Sequence, residues 1–216
     1  MNSCKPIDKL AVILIDVQQA FVSGSWSMGM AVERIRESFG KCEKLIQSLS
    51  PTIPVLLTQC PFINPKDRAF HTSVKKIFKE RNYPVVYKYG TNIMEADGAE
   101  NWVESMLERQ VDAVVLGGCT TTSCVRVSSS ALVRNFKHAP VQFIVDLSLC
   151  GARDSNYIKR CKACMQIYMQ TGETRNCELC VNSTEGLTSP VDMAVEYMLN
   201  AGVIVKEHFD WSAYLV

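Results

Sequence analysis

The stretch Val114–Val125 reads VVLGGCTTTSCV, and it predicts how the rest of the chain folds. An apolar run ends in two glycines, a polar threonine run follows, and Cys124 comes at the start of the next helical pattern. This order predicts a buried strand, a tight turn, and a cysteine in or near the first turn of a helix. The helix dipole and free amide N–H groups lower the pKa of a thiol placed there. Cys124 is therefore either a nucleophile or a half-buried structural cysteine, and the stretch alone leaves both interpretations open.

Composition and charge narrow the classes of protein to which the chain can belong. The 216 residues suit one domain, 47% of them are hydrophobic, and the net charge is +1. So small a charge predicts no nucleic-acid partner, and no apolar run reaches the roughly 20 residues of a membrane span. The first apolar run ends in Asp16 without a small-residue cleavage site, so it predicts a strand and not a signal peptide. Without a signal peptide, the ten cysteines of the chain are expected to be free thiols in a reducing, cytoplasmic location.

Short apolar runs alternate with amphipathic segments along the chain. The runs predict six strands, at Leu10–Ile15, Ile53–Thr58, Val85–Lys88, Ala113–Leu116, Val141–Val145 and Val203–Val205. Helical spacing is seen at Met30–Leu49, Ala69–Arg81, Glu95–Gln110, from Cys124 to about Phe136, and at Pro190–Asn200. Because strands and helices alternate and the strands are apolar throughout, we predict an α/β fold. It is a three-layer, doubly wound α/β/α domain around a mainly parallel six-stranded sheet.

Three residues of complementary chemistry stand at the ends of three different strands. Asp16, Lys88 and Cys124 each follow or finish an apolar run, and the carboxyl ends of parallel strands share the sheet edge where ligands bind. Taken singly, Asp16 is as typical of a turn cap, and Lys88 of a snorkelling surface lysine. As a set, a carboxylate can move the thiol proton to a leaving amine, while an ammonium favours the thiolate. None of the three histidines stands at a strand end, which disfavours a Cys–His pair.

Two loops at the same edge are candidates for substrate contact. Phe21 and Trp26 flank the Gly/Ser-rich stretch Ser23–Ser27 and either wall a pocket or pack into the core or its rim. Tyr89 and Asn92 follow Lys88 directly. We expect all four side chains, Phe21, Trp26, Tyr89 and Asn92, to bind the substrate.

The motifs LIDVQQAF at Asp16, VVYK at Lys88 and GGCTTTSCV at Cys124 resemble, in this order and spacing, the isochorismatase-like cysteine hydrolases. That family includes nicotinamidases and N-carbamoylsarcosine amidohydrolase. The resemblance covers roughly Asp8–Asp146 and Pro190–Val205. It implies that Asp16 is the general base, Lys88 its electrostatic partner and Cys124 the nucleophile.

The resemblance also implies finer features of the site and of the assembly. It places a cis peptide at Cys119–Thr120 and an oxyanion hole made by the amide N–H groups of Thr120 and Cys124. It implies a small-molecule substrate and a homo-oligomer. On this basis we expect hydrolysis of an amide or ureido C–N bond through a covalent thioester on Cys124. Alternatives are isochorismatase-type hydrolysis of an enol ether, and a non-catalytic family member that acts as a binding or scaffold protein.

The chain departs from the family where nicotinamidases bind a metal. Their Asp-x-His pair after the second strand is replaced here by Thr58–Phe62, which reads TQCPF, and His71 is the one candidate ligand left. We therefore expect no catalytic metal and no nicotinamidase activity. True isochorismatases cleave a vinyl ether without needing the thiol, so the presence of Cys124 favours C–N hydrolysis.

Two CxxC pairs lie in a segment that has no counterpart in the resembled family. Each pair offers two thiolates from one tight turn, a pattern typical of a closed tetrahedral zinc site, with the ligands Cys161, Cys164, Cys177 and Cys180. Four unrelated reduced cysteines are the alternative. We predict a single hydrolase domain over residues 1–216 that carries a structural zinc in an insert at about 157–189. The insert would act as a lid, as a subunit contact or as a partner-binding module.

Overall fold

A six-stranded sheet forms the centre of the computed structural model, which describes residues 9–175, 177–183 and 185–216. Residues 1–8, 176 and 184 lie outside these ranges, so the predicted domain, the resemblance from Asp8 and the predicted insert each extend beyond the described residues. The strands are β1 Leu10–Ile15, β2 Val55–Gln59, β3 Val85–Tyr87, β4 Ala113–Cys119, β5 Gln142–Gly151 and β6 Ile204–Lys206. Their order is β3-β2-β1-β4-β5-β6, and every neighbouring pair is parallel. The predicted doubly wound α/β fold is confirmed.

Helices cover both faces of this sheet. They are α1 Ala20–Ser23, α2 Glu33–Ser48, α3 Pro65–Arg68, α4 Thr72–Arg81, α5 Ala99–Glu108, α6 Arg126–Asn135, α7 Lys162–Thr171, α8 Glu178–Asn182 and α9 Pro190–Asn200. The apolar sides of α2 and α4 pack on one face, and those of α5, α6 and α9 pack on the other. Strand β1 is buried at all six residues because alternate side chains enter these two cores.

The close approach of β1 and β4 depends on a glycine. Gly118 pairs with Ile15 and has a φ of +115°, a backbone conformation that residues with a Cβ rarely adopt. A Cβ at Gly118 would lie 2.0 Å from the carbonyl oxygen of Ile15. The turn after β4 therefore lies against the end of β1, which brings Cys124 towards the residues that follow β1.

Strand β5 is longer than the sequence predicts. We expected it to end at Asp146, because an aspartate rarely continues a buried strand, but it runs on to Gly151. The Asp146 carboxylate is hydrogen bonded inside the fold: the amide and hydroxyl of Ser148 donate to Oδ1 at 3.0 and 2.7 Å, and Trp211 Nε1 donates to Oδ2 at 2.8 Å. These donors satisfy the buried carboxylate, so the strand continues beyond Asp146. Its pairing with β4 shifts in register between Leu116 and Gly118.

The segment that carries the two CxxC pairs leaves the scaffold and returns at the same point. The backbones of Arg160 and Thr188 form an isolated antiparallel bridge, and α7 and α8 lie between them. The fully buried guanidinium of Arg160 donates to the carbonyl oxygens of Ser155 and Ile158 and stacks on Tyr168 at 4.1 Å. Among the described residues, no helix has the length and apolar content needed to cross a membrane.

Candidate active site

A buried ion pair joins the ends of two strands. Asp16 follows β1 with a φ of +50°, and Lys88 follows β3; both side chains are fully buried, with Lys88 Nζ 2.6 Å from Asp16 Oδ2. The hydroxyl of Thr58 donates to the other carboxylate oxygen at 2.6 Å and accepts from the Asp16 amide at 3.1 Å. A left-handed backbone is uncommon at a residue other than glycine and often occurs at functional sites. The carboxylate is thus fixed at both oxygens.

Lys88 remains an ammonium in this environment. Burial by itself lowers the pKa of Lys88, but the charge of Asp16, followed by the thiols of Cys124 and Cys60, raises that pKa above its ordinary value. Nζ also donates to the carbonyl oxygen of Gly90 at 3.1 Å. The positive charge therefore persists at neutral pH beside the two sulfur atoms.

Cys124 lies in a π-helical turn, Thr121–Val125, that leads directly into α6. The peptide between Cys119 and Thr120 is cis, as the resemblance implied. A hydrogen bond from Cys60 and the charge of Lys88 lower the pKa of the Cys124 thiol, against the opposing effects of burial and of Asp16. The thiolate is therefore favoured at the residue that the sequence identifies as a nucleophile.

A second thiol belongs to the same cluster, and sequence reasoning missed it. This thiol is Cys60, whose Sγ lies 3.4 Å from Asp16 Oδ2 and 3.6 Å from Lys88 Nζ. Its hydrogen bond with Cys124, then burial and the charge of Asp16, raise the pKa of Cys60, so it stays a thiol. Its place directly after β2 was a usable signal, since the same strand-end rule identified Asp16 and Lys88.

A cavity of about 840 Å³ opens above Cys124. Part of its wall is an aromatic cluster, in which Phe21 lies 4.9 Å from Trp26 and 5.8 Å from Phe62 between ring centroids. Tyr89, at 89% exposure, lies at the rim. The lining also includes Cys60, Asn64, Asp67, Thr91, Thr120 and Ser123. The volume suits a small molecule, and three of the four predicted contact residues line the cavity.

Asn92 is the fourth, and the structure places it elsewhere. Its side-chain oxygen accepts a hydrogen bond from the Met94 amide at 3.0 Å and caps the short 3₁₀ turn Ile93–Glu95. Asn92 is not among the residues that line the cavity, and its contact with the substrate stays a prediction. His71 is a helix cap too: its Nδ1 accepts from the Ser73 amide at the start of α4.

The four cysteines of the two CxxC pairs converge in space. Their sulfur atoms all lie within 4.8 Å of one another, and both Cys161–Cys177 and Cys177–Cys180 are 3.7 Å apart. Four sulfurs at about 2.3 Å from one Zn²⁺ would be separated by about 3.8 Å in a tetrahedron. The cluster therefore fits a metal ion of this coordination. None of the described residues of the insert lines the cavity above Cys124.

The chain matches the model of the isochorismatase domain over residues 10–162. It belongs to the isochorismatase family. The Asp16–Lys88 pair, the cis peptide and Cys124 all lie inside the matched range, whereas the match stops at the first residue of α7, so most of the insert lies beyond it. The members of this family are hydrolases.

Solved structures of low sequence identity share the fold. Nicotinamidase PncA from Bacillus subtilis is 13% identical with a TM-score of 0.56 over 92% of this chain and 99% of that one. YcaC from Pseudomonas aeruginosa, solved with hexane-2,5-diol and covalent acrylamide, is 13% identical with a TM-score of 0.59 over 95% and 80%. The Escherichia coli YcaC gene product, described as an octameric hydrolase of unknown specificity, is 14% identical with a TM-score of 0.56 over 93% and 78%. No curated protein matches the sequence.

Proposed function

We propose that this isochorismatase-family hydrolase cleaves a C–N bond of a small amide or ureide through a thioester on Cys124. The observation that carries the proposal is a thiol of lowered pKa, at the base of a cavity, beside the buried Asp16–Lys88 pair. A thiolate in that setting is a nucleophile with a charged acid–base group next to it. The amide hydrolysis named in the nicotinamidase relative belongs to the same reaction class.

The proposed reaction proceeds in two stages. The Cys124 sulfur attacks the carbonyl carbon, while the amide N–H groups of Thr120 and Cys124 hold the oxyanion. The C–N bond then breaks, and the amine leaves with the proton that Asp16 took from the thiol. Water, deprotonated by Asp16, next attacks the thioester, which releases the acid and regenerates the thiol. Lys88 keeps its charge throughout and stabilises both the carboxylate and the thiolate.

The cavity wall supports a small and partly aromatic or apolar substrate. Phe21, Trp26 and Phe62 offer stacking surfaces, and Tyr89 offers a polar group at the rim. Among the described residues that line the cavity there is no lysine or arginine, so a highly anionic substrate would find no cationic partner in its wall. Nicotinamide itself is not proposed, because the Thr58–Phe62 stretch lacks the metal ligands of nicotinamidases.

Two measurements test this function. A panel of small amides and ureides is offered to the wild type, to Cys124→Ala and to Cys42→Ala, which removes a buried thiol that does not line the cavity. We expect product only where Cys124 is present, and an acyl adduct on Cys124 in acid-quenched samples by mass spectrometry. Acrylamide, covalent in the YcaC relative, should add selectively to Cys124. Turnover of an amide by Cys124→Ala would refute the thioester.

We propose a structural zinc on the four cysteines, a homo-oligomer and a reducing, cytoplasmic location. The nine described cysteines are free of disulfides, which suits a reducing compartment. The octameric relative supports self-association, as do exposed apolar side chains of α7–α9, namely Met169, Leu179, Val181, Tyr197 and Leu199. Three of these side chains, Met169, Leu179 and Val181, lie in the insert and favour the second candidate function, a scaffold that binds proteins through it. Retention of partner binding by Cys124→Ala, together with no turnover by the wild type, would favour the scaffold.

A further inference from the structure

The cavity above Cys124 has a single carboxylate in its wall among the described residues. It belongs to Asp67 on the short helix α3, and no described lysine, arginine or histidine joins it there. Asp67 is only 5% exposed. A buried carboxylate is unfavourable unless donors or a cation satisfy it, so its partners indicate what it binds.

The protein satisfies one of the two carboxylate oxygens of Asp67. Oδ2 accepts a hydrogen bond from the Ser25 amide at 3.2 Å. Oδ1 lies against Gly24, where a Cβ would come within 2.1 Å of it, and no donor of the described residues bonds to it. Lys66 and Lys75 line a neighbouring cavity that Asp67 also borders, but neither forms an ion pair with it. Asp67 therefore offers a charged acceptor to a bound molecule.

Aromatic rings line the same cavity as this carboxylate. They belong to Trp26, Phe21, Phe62 and Tyr89. The guanidinium of Arg153 stacks on Trp26 at 4.0 Å but does not line the cavity, so it holds this ring from outside. The faces of aromatic rings attract cations, and aromatic cages are a common means of recognising ammonium groups. A carboxylate together with several ring faces therefore suits a ligand that carries an ammonium group.

The charges around Cys124 also favour a cation. Lys88 is paired with Asp16 at 2.6 Å, so these two charges offset each other. The remaining charges are those of the Cys124 thiolate and of Asp67, and both are negative. A cavity lined by charges of one sign concentrates ligands of the opposite sign.

We propose that Asp67 selects substrates that carry an ammonium group, so that the hydrolase acts on small cationic amides or ureides. The proposal rests on the proposed function of Cys124. The ammonium of the substrate donates to Asp67 Oδ1 and lies against the aromatic faces, while its carbonyl carbon reaches the Cys124 sulfur. No bond forms or breaks at Asp67, which determines specificity and leaves the two chemical stages unchanged.

The test compares amides that differ only in charge. Glycinamide, β-alaninamide and γ-aminobutyramide carry an ammonium at increasing distance from the amide, and propanamide, butanamide and pentanamide are their neutral isosteres. Each amide is added at rising concentration while the iodoacetamide alkylation of Cys124 is followed by peptide mass spectrometry, which measures binding with or without turnover. The release of ammonia gives kcat and KM for every amide that is hydrolysed.

The variants remove the charge of Asp67 with little change of shape. Asp67→Asn keeps an oxygen for the Ser25 amide, and Asp67→Ser is a second, smaller replacement. The control Glu100→Gln removes an exposed charge on α5, outside the cavity. Circular dichroism verifies the fold of each variant, and alkylation of Cys124 without any amide verifies that the site is intact.

In the wild type and in Glu100→Gln, a cationic amide should protect Cys124 at a concentration about tenfold lower than its neutral isostere. This preference should vanish in Asp67→Asn and Asp67→Ser, with a rise in KM for the cationic amide and little change in kcat. Equal protection by the two kinds of amide in the wild type, no protection by any amide, or a preference retained in Asp67→Asn would overturn the proposal. A preference that Asp67→Asn loses, without release of ammonia from any amide, would support the role of Asp67 and refute the proposed hydrolysis.

Discussion

Replacement of Lys88 with methionine removes one half of the buried ion pair. Both side chains of the pair are 0% exposed, and their charged atoms are 2.6 Å apart. A buried carboxylate left without its cation lowers the free energy of unfolding by about 3–5 kcal/mol. Thr58 Oγ1 still donates to Asp16, so we expect a loss near the lower limit, about 3 kcal/mol.

Urea denaturation of Lys88→Met measures this loss. With a slope of about 2–3 kcal/mol per molar urea, the unfolding midpoint should fall by roughly 1–1.5 M. The thermal midpoint should fall by about 6–12 °C in a domain of this size. The matched control is Lys76→Met, which breaks an exposed pair with Glu80 at 3.8 Å and should change the free energy of unfolding by less than about 0.5 kcal/mol.

The double variant Asp16→Asn, Lys88→Met separates charge pairing from packing. With no charge left to bury, the double variant should be more stable than Lys88→Met alone. Asparagine at position 16 keeps a side-chain oxygen that accepts the hydrogen bond from Thr58. Two results would contradict the reasoning. One is a loss below about 1 kcal/mol in Lys88→Met, the value of an exposed pair. The other is a double variant whose loss equals the sum of the two single losses.

Three further replacements test other parts of the molecule. Gly118→Ala should lower the free energy of unfolding by about 3 kcal/mol or more, because its Cβ would meet a backbone oxygen at 2.0 Å. The control Gly172→Ala, also at positive φ but with open space around it, should lower this free energy by only about 1 kcal/mol in thermal unfolding. By atomic emission we expect roughly one zinc per chain in the wild type and its loss in Cys161→Ser. The thermal midpoint of this variant should no longer respond to a chelator. Trp211→Phe leaves Asp146 Oδ2 without its indole donor and should lower the free energy of unfolding, measured by urea denaturation, by about 1–3 kcal/mol. No change would mean that water replaces the donor.

Local sequence signals predict those elements whose determinants are adjacent in the chain. Helix α9 has the predicted bounds Pro190–Asn200, because Ser189 and Asp192 form a capping box and proline occupies the first turn. The end of β1 also follows from an apolar run that stops at a polar residue, and β3 ends one residue before its predicted end. Strand β4 runs through both glycines to Cys119, three residues past its predicted end at Leu116. The strand-end rule then suffices to bring Asp16, Lys88 and Cys124 together.

Features that depend on distant partners were out of reach of that reasoning. Asp146 stops a strand pattern locally, but the indole of Trp211, 65 residues away, satisfies it inside β5. Asn92 shows a local case: its side-chain oxygen accepts from the Met94 amide, two residues away, and it is not among the residues that line the cavity. Cys60 resembles any cysteine in a loop until Asp16 and Lys88 are seen beside it. In each case the deciding contact is a hydrogen bond of one polar side chain, which periodicity does not encode.

The bridge between Arg160 and Thr188 makes the insert a closed loop with adjacent ends. The Arg160 amide donates to the Thr188 carbonyl oxygen at 2.7 Å, and the Thr188 amide donates back at 2.9 Å. The entropy of loop closure grows only logarithmically with length, by about 0.6 kcal/mol for each doubling, so a turn can grow to roughly 27 residues for about 2 kcal/mol. The number of residues in the insert can therefore change with little effect on the sheet or on its catalytic edge. An epitope or a fluorescent reporter could be spliced between these two residues while the hydrolase scaffold keeps its fold.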